Sequence, residues 1–235
     1  MKCEVAKARN WHYYHAPALT EAGLLHGFCT KSSSALAHDH RGREDFTAAL
    51  ALTRSVIMDQ VHGDEVHIIQ QGETPEKGDG LILVERGVAA IIKTADCLPI
   101  ILFDSSARIA AIVHSGWKGT VARIAAKAVD GMVSLGAKRE RIEAVIGPGI
   151  GPCCYEIKDD VGHIFGGAGF SPHMYERGEG AMVLDLKGVN REILQAAGIG
   201  LVYDLGLCTS CRQDLFFSAR RNGTAGRQIN FVALP

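Results

Sequence analysis

Between Leu98 and His114 the chain carries two apolar runs, LPIILF and IAAIVH. The link between Phe103 and Arg108, DSSA, is the length of a hairpin connection. Two runs this apolar call for burial, and so short a link makes them antiparallel neighbours. Each run also adjoins one reactive side chain, Cys97 just before the first and His114 at the end of the second. The chain therefore has to build a buried sheet with a thiol and an imidazole at its rim.

Similar runs recur along the chain as SVIMDQV, EVHIIQ, GLILV, VAAIIK, IEAVIG and QINFVAL. They read as further strands. After Lys118, apolar residues return at Val121, Ile124, Ala125, Ala128, Val129, Met132 and Val133, the spacing of one amphipathic helix stopped near Gly136. A second helix fits LKGVNREILQAAG and ends at Gly198. The expectation is an α/β or α+β domain, a layered mixed β-sheet flanked by helices. Loop-like stretches fall at Ser32–Arg43 and Gly166–Ala181, but neither divides the chain, so residues 1–235 read as one domain.

Apolar residues make up 47% of the chain, enough for a sizeable core and too many for global disorder. Twenty-five basic residues nearly balance 26 acidic ones and are scattered. That pattern leaves no electrostatic footprint for nucleic acid or an anionic membrane, and points to a small-molecule substrate. No stretch has the length of a membrane span or a signal-peptide core, so a cytoplasmic location with free thiols is expected. The seven cysteines are odd in number, and Cys153 and Cys154 are vicinal, which suits a disulfide framework poorly.

His62 in QVHGDE, Cys97 in TADCLP and His114 in IVHSGW each end an apolar strand, with Gly63 and Gly116 beside them. Imidazole, thiolate and imidazole suit a borderline-soft divalent ion, and three ligands leave zinc an open fourth position. Two other readings use the same residues. Cys97 could be a nucleophile activated by His114 with Asp96 as orienter. All three could instead be ordinary strand-end residues. Cys208 and Cys211 form a CxxC with no second CxxC, and Cys153 and Cys154 are awkward partners for it, so buried structural roles are expected for most of these thiols. HDH at His38–His40 is a lone HxH, whereas multicopper sites need several histidine clusters. IGPGIGPCCYEI could form an anion-binding nest or a rigid turn. Arg220, Arg221 and Arg227 suit phosphate or structural ion pairs.

Taken together, HGFCTK, QVHGDEV, GDGLIL, TADCLPIIL, AAIVHSGWKGTVARI, IGPGIGPCCYEI, DLKGVNREILQAAGI, CTSC and FFSARRNGTAGRQINFVAL closely resemble the bacterial laccase-domain family. That family is often labelled polyphenol oxidase and is also described as purine nucleoside phosphorylase. The resemblance implies a single layered α/β domain and a zinc ion held by His62, Cys97 and His114. It implies phosphorolysis of adenosine, inosine, guanosine or methylthioadenosine to base and pentose 1-phosphate, with adenosine deamination as a second activity. The partners it implies are a purine nucleoside and phosphate. The laccase label implies copper-dependent phenol oxidation, which one lone HxH supports weakly. Asp64, Glu65 or Asp96 are candidates for a proton shuttle, and Lys118, Arg220 and Gln60 for substrate binding. SSSALAHDHRGREDFTAALAL is shorter than the family's usual loop after HGFCTK and lacks its Gly-Gly-Val-Ser, so nucleoside or phosphate contacts there are expected to differ. A metal-independent Cys–His hydrolase and a non-catalytic metal-binding protein stand as the competing functions.

Overall fold

The computed structural model describes residues 4–34, 40–70, 72–178, 180–223 and 226–235. Its strands begin with β1 (Glu4–Ala8), β2 (Trp11–His15), β3 (Leu25–Cys29), β4 (Arg54–Ile57), β5 (Val66–Ile69), β6 (Gly80–Leu83) and β7 (Val88–Thr94). They continue with β8 (Leu98–Asp104), β9 (Ile109–Ser115), β10 (Ile142–Ile146), β11 (Met174–Arg177), β12 (Ala181–Leu184), β13 (Leu201–Asp204) and β14 (Gln228–Ala233). The helices are α1 (Pro17–Glu21), α2 (Lys31–Ser34), α3 (His40–Ala49), α4 (Trp117–Val121), α5 (Ile124–Ser134), α6 (Asp159–Gly167), α7 (Leu186–Ala196) and α8 (Ala219–Asn222).

Two six-stranded mixed sheets form the body, ordered β1-β2-β3-β14-β7-β4 and β13-β10-β8-β9-β6-β5. The expected layered mixed sheet flanked by helices is present as a pair of sheets, and alternate side chains of the same strands show why. Ile100 and Leu102 of β8 join the core beneath α5 and α7, while Ile101 and Phe103 point the other way into the core between the sheets. In β7, Ala90 and Ile92 face that central core, whereas Ala89 and Ile91 face the layer capped by Phe46 of α3. Every residue of β8 and β9 is buried, because both faces of the sheet are covered. That is the reason these strands are apolar without alternation. The layers run helix, sheet, sheet, helix, with Phe46 seated edge-on against Trp11 and Phe231.

The β8–β9 hairpin is antiparallel, as its short link requires. The helix expected after Lys118 is not continuous. It breaks at Arg123, which adopts a left-handed φ of 59° between α4 and α5. The break lets α4 stay packed against β9 and α7 while α5 lays Ile124, Ala128, Val129 and Met132 over the second sheet. The second expected helix is α7, opened by the Asp185 side chain accepting from the Gly188 N–H and followed by Gly198 at φ +90°. The expected loops hold short elements, with α2 and the start of α3 in the first and β11 in the second. His38 lies outside the described residues.

His26 of β3 is buried as a neutral ring. Its Nε2 accepts from the Ala16 N–H at 3.0 Å, which leaves Nδ1 to donate to the Leu24 carbonyl at 3.2 Å. Burial is the main influence on it and lowers its pKa from 6.5 to about 4. The unfolded chain takes up this proton at the ordinary pKa, so the contribution of neutral His26 is complete at neutral pH. It falls by up to about 1.4 kcal/mol per pH unit as pH drops from about 6.5 to about 4. His26→Gln, which can keep both hydrogen bonds without titrating, is expected to close its stability gap with the wild type across that window; denaturant unfolding at stepped pH measures the gap.

Candidate active site

The β8–β9 register creates the site. Leu98 pairs with Ser115 and Pro99 with His114, so the start of one strand lies beside the end of the other and Cys97 meets His114. His62 arrives from the loop after β4. The donor atoms of His62, Cys97 and His114 all lie within 4.8 Å of one another. The two imidazole rings stand edge to face with centroids 4.8 Å apart. Gly116 leaves the room this needs: a Cβ there would sit 3.0 Å from Cys97 Sγ and 3.5 Å from the His62 ring.

Asp79, just before β6, organises the cluster, and only its place in GDGLIL marks it in the sequence. Its carboxylate is inaccessible to solvent. Oδ1 accepts from His114 Nδ1 at 2.7 Å and from the His62 N–H at 3.1 Å. Oδ2 accepts from the Gly63 N–H at 2.6 Å and the Val61 N–H at 3.3 Å. One side chain therefore orients His114 and clamps the loop that carries His62, whose backbone is held at φ 58°.

The electrostatics follow from burial against these partners. Burial alone would raise the Asp79 pKa, but hydrogen bonds from His114 and the Gly63 and His62 backbone hold it below the usual carboxylate value. Burial would lower His114, yet Asp79 and Cys97 raise it to about 9. Burial would raise Cys97, but His114 and His62 hold it down to about 7. A thiolate is therefore within reach near neutral pH.

The cluster opens into a cleft of about 790 Å³, the size of a small-ligand site. Lys77, Lys93, Arg220 and Arg227 give its walls a cationic lining, with Asp59, Asp96 and Tyr155 among them. Lys77 and Lys93 were not legible as site residues, because each is a lone lysine, one in the loop before β6 and one near the end of β7. Gln60 lines the cleft, but its amide is paired with the Lys93 backbone in both directions, at 2.8 and 2.7 Å. Asp96, at φ 86°, accepts from Thr209 Oγ1, Ser218 Oγ and the Arg220 N–H at 2.6, 3.0 and 2.7 Å. It thereby fixes the start of α8 at the rim. Arg220 stacks over the Tyr155 ring, 5.3 Å from its centroid, and donates to the Glu156 carbonyl.

Other sequence candidates lie elsewhere. Lys118 is exposed with its ammonium 5.6 Å from the Trp117 ring centroid, and is not among the described lining residues. Asp64 pairs with Lys127, and exposed Glu65 lies 3.5 Å from His67. Arg221 is turned to the carbonyls of Thr209, Ser210 and Phe216. The remaining cysteines correct the expectation of buried structural roles: Cys153, Cys154, Cys208 and Cys211 converge on one point, with Cys153 and Cys211 exposed.

Residues 30–235 match the family described as multi-copper polyphenol oxidoreductase laccase. The chain belongs to this family. A purine nucleoside phosphorylase of Deinococcus radiodurans is 42% identical over 179 residues, covering 76% of this chain and 69% of that protein. Adenosine deaminase RL5, from an unknown prokaryote, is 38% identical over 171 residues, covering 70% of this chain and 65% of its own length. The crystal structure of the Bacillus licheniformis hypothetical protein YfiH superposes with a TM-score of 0.86 at 30% identity, covering 98% of this chain and 99% of that one. Laccase-family membership thus spans the β4-to-β14 body that supplies every cleft residue.

Asp79→Asn replaces an acceptor oxygen with an NH₂ group facing backbone N–H donors. It is expected to weaken binding of added zinc roughly 10- to 100-fold, as read by competition with a chromogenic chelator; unchanged affinity would show that Asp79 does not orient the ligands.

Proposed function

We propose that the chain is a zinc-dependent purine nucleoside phosphorylase that also deaminates adenosine. The observation that carries this reading is the His62–Cys97–His114 cluster standing open to a cation-lined cleft. The names of its relatives agree, one a purine nucleoside phosphorylase and another an adenosine deaminase.

The donors fit the ion. Zinc bonds of about 2.0–2.3 Å place ligand atoms roughly 3.3–3.8 Å apart, so a cluster already within 4.8 Å needs only small adjustments to close around it. Three side-chain ligands suit zinc with one open position, whereas multicopper oxidation needs several histidine clusters, which is the ground for preferring zinc to copper. A zinc ion bound by three side chains supplies an open position at which water is made acidic or a substrate atom is polarised.

The protein's own groups divide the remaining work. Arg220 is favoured over Lys118 as a phosphate ligand because it lines the cleft, where Lys93 and Arg227 add positive charge. In phosphorolysis a phosphate oxygen bonds to the sugar carbon as the carbon–nitrogen bond breaks, and the base leaves with a proton. Burial, with the nearby Cys97 charge, raises the Tyr155 pKa to about 12, so this cleft hydroxyl stays a donor at neutral pH. Asp96, its oxygens filled by three donors, acts by positioning Arg220. In deamination water adds to the purine carbon bearing the amino group, the bond from that carbon to the amino nitrogen breaks, and the nitrogen leaves as ammonia with a proton from the water.

A metal-independent Cys–His hydrolase is the second reading, supported by the Cys97 pKa near 7. The deciding assay supplies adenosine, inosine and methylthioadenosine with and without phosphate, before and after chelation, with products separated by chromatography. Phosphate-dependent release of free base, abolished by chelation and restored by zinc, is the expected result. Turnover that survives chelation yet is lost on alkylation of Cys97 would favour the hydrolase. Cys97→Ala is expected to lose zinc from this centre and on the order of 10²-fold or more of the activity.

A further inference from the structure

Four sulfur atoms meet on the protein surface away from the cleft. Two come from the turn after β10, where Cys154 and Tyr155 donate their N–H groups back to the Gly151 carbonyl. The other two come from the turn after β13, where the Arg212 N–H returns to the Cys208 carbonyl. Strands β10 and β13 pair in parallel, and the pairing continues as an isolated bridge between Gly149 and Cys208. The sheet thus carries two distant cysteine pairs to the same place. The sulfur atoms of Cys153, Cys154, Cys208 and Cys211 all lie within 4.8 Å of one another. Cys211 Sγ is 3.4 Å from both Cys153 Sγ and Cys154 Sγ.

We propose that Cys153, Cys154, Cys208 and Cys211 form a second metal site, separate from the His62–Cys97–His114 centre, that binds one zinc ion as a tetrathiolate. Zinc–sulfur bonds of about 2.3 Å set tetrahedral sulfur atoms about 3.8 Å apart, inside the spread found here. One tetrahedral ion engages all four sulfurs at once, which suits an arrangement in which Cys211 is equally near two thiols.

The Gly151 N–H donates to Cys208 Sγ at 3.3 Å. Each turn is also held by a guanidinium. Arg177 donates to the Pro152 and Cys153 carbonyls, and Arg221 to those of Thr209 and Ser210. These two cations lie against the loops where a zinc tetrathiolate would carry net negative charge. Gly151 leaves the space: a Cβ there would come within 3.3 Å of Cys153 Sγ and 3.7 Å of Cys208 Sγ.

The site would act at a distance on the cleft. Thr209, next to Cys208, donates to Asp96, and Tyr155, next to Cys154, carries Arg220 on its ring. Binding the two turns to one ion would hold Tyr155 and Arg220 at the cleft rim.

The test is metal content of the full chain purified under reducing conditions. The wild type is expected to hold two zinc ions per chain. The Cys153→Ser/Cys211→Ser variant, changed only at exposed positions, is expected to hold one, as is His62→Ala/His114→Ala. A wild type with one zinc that the cysteine variant loses would support this site while refuting zinc at the histidine centre. Equal zinc in the wild type and the cysteine variant would overturn the proposal, as would a disulfide within the quartet found by mass spectrometry of the protein as purified. Cobalt(II) added to metal-free wild type gives a readout that does not depend on the variant folding. Two equivalents are expected to produce charge-transfer absorption for five sulfur–cobalt bonds, four at this site and one at Cys97; absorption for a single such bond would overturn the site.

Discussion

A carboxylate removed from water keeps its charge only if its lone pairs are filled. Asp79 meets that demand with one imidazole N–H and three consecutive backbone N–H groups. The consequences reach further than one residue. The three amides belong to Val61, His62 and Gly63, so the loop must wrap the carboxylate, and wrapping it forces His62 into a left-handed backbone conformation. The imidazole belongs to β9, the strand paired with β6, so the same carboxylate joins a loop to the end of a neighbouring strand. Satisfying one buried charge and aligning His62 with His114 are thus a single structural event.

The fold was largely legible because its central strands are buried on both faces, and continuous apolar runs such as LPIILF leave few alternatives. The doubling of the sheet was not legible, since a strand covered by a helix and a strand covered by another sheet read alike. Nor was the break at Arg123, where tertiary packing overrides a good helical periodicity. Cys97 and His114 could be placed at one rim because a short link fixes the register. Asp79 could not be singled out, because its partners are mostly backbone amides and amides leave no mark in a sequence. The four thiols escaped for another reason: a vicinal pair and a CxxC match no common spacing, and only the β10–β13 ladder shows that they meet.

The cleft combines two opposed electrical tendencies. Near the cluster, buried Asp79 and an easily ionised Cys97 concentrate negative charge where a cation would sit. Toward the rim, Lys93, Arg220 and Arg227 present positive charge suited to an anionic co-substrate. Asp96 stands between the two zones, its peptide adjoining Cys97 and its carboxylate holding the Arg220 segment. The His62–Cys97–His114 cluster and the cationic rim are therefore mechanically linked, and a change in one loop is felt in both.

The position of β14 bears on how the protein is made. This strand, the last in the chain order, lies between β3 and β7 in the middle of the first sheet, not at its edge. A ribosome releases the chain from the N-terminus, so β3 and β7 emerge early and expose two unpaired, apolar strand borders until β14 arrives. The nascent protein must hold its first sheet split in half until β14 has been made. That strand acts as a keystone, and cellular quality control would meet the molecule in its most vulnerable form before β14 emerges.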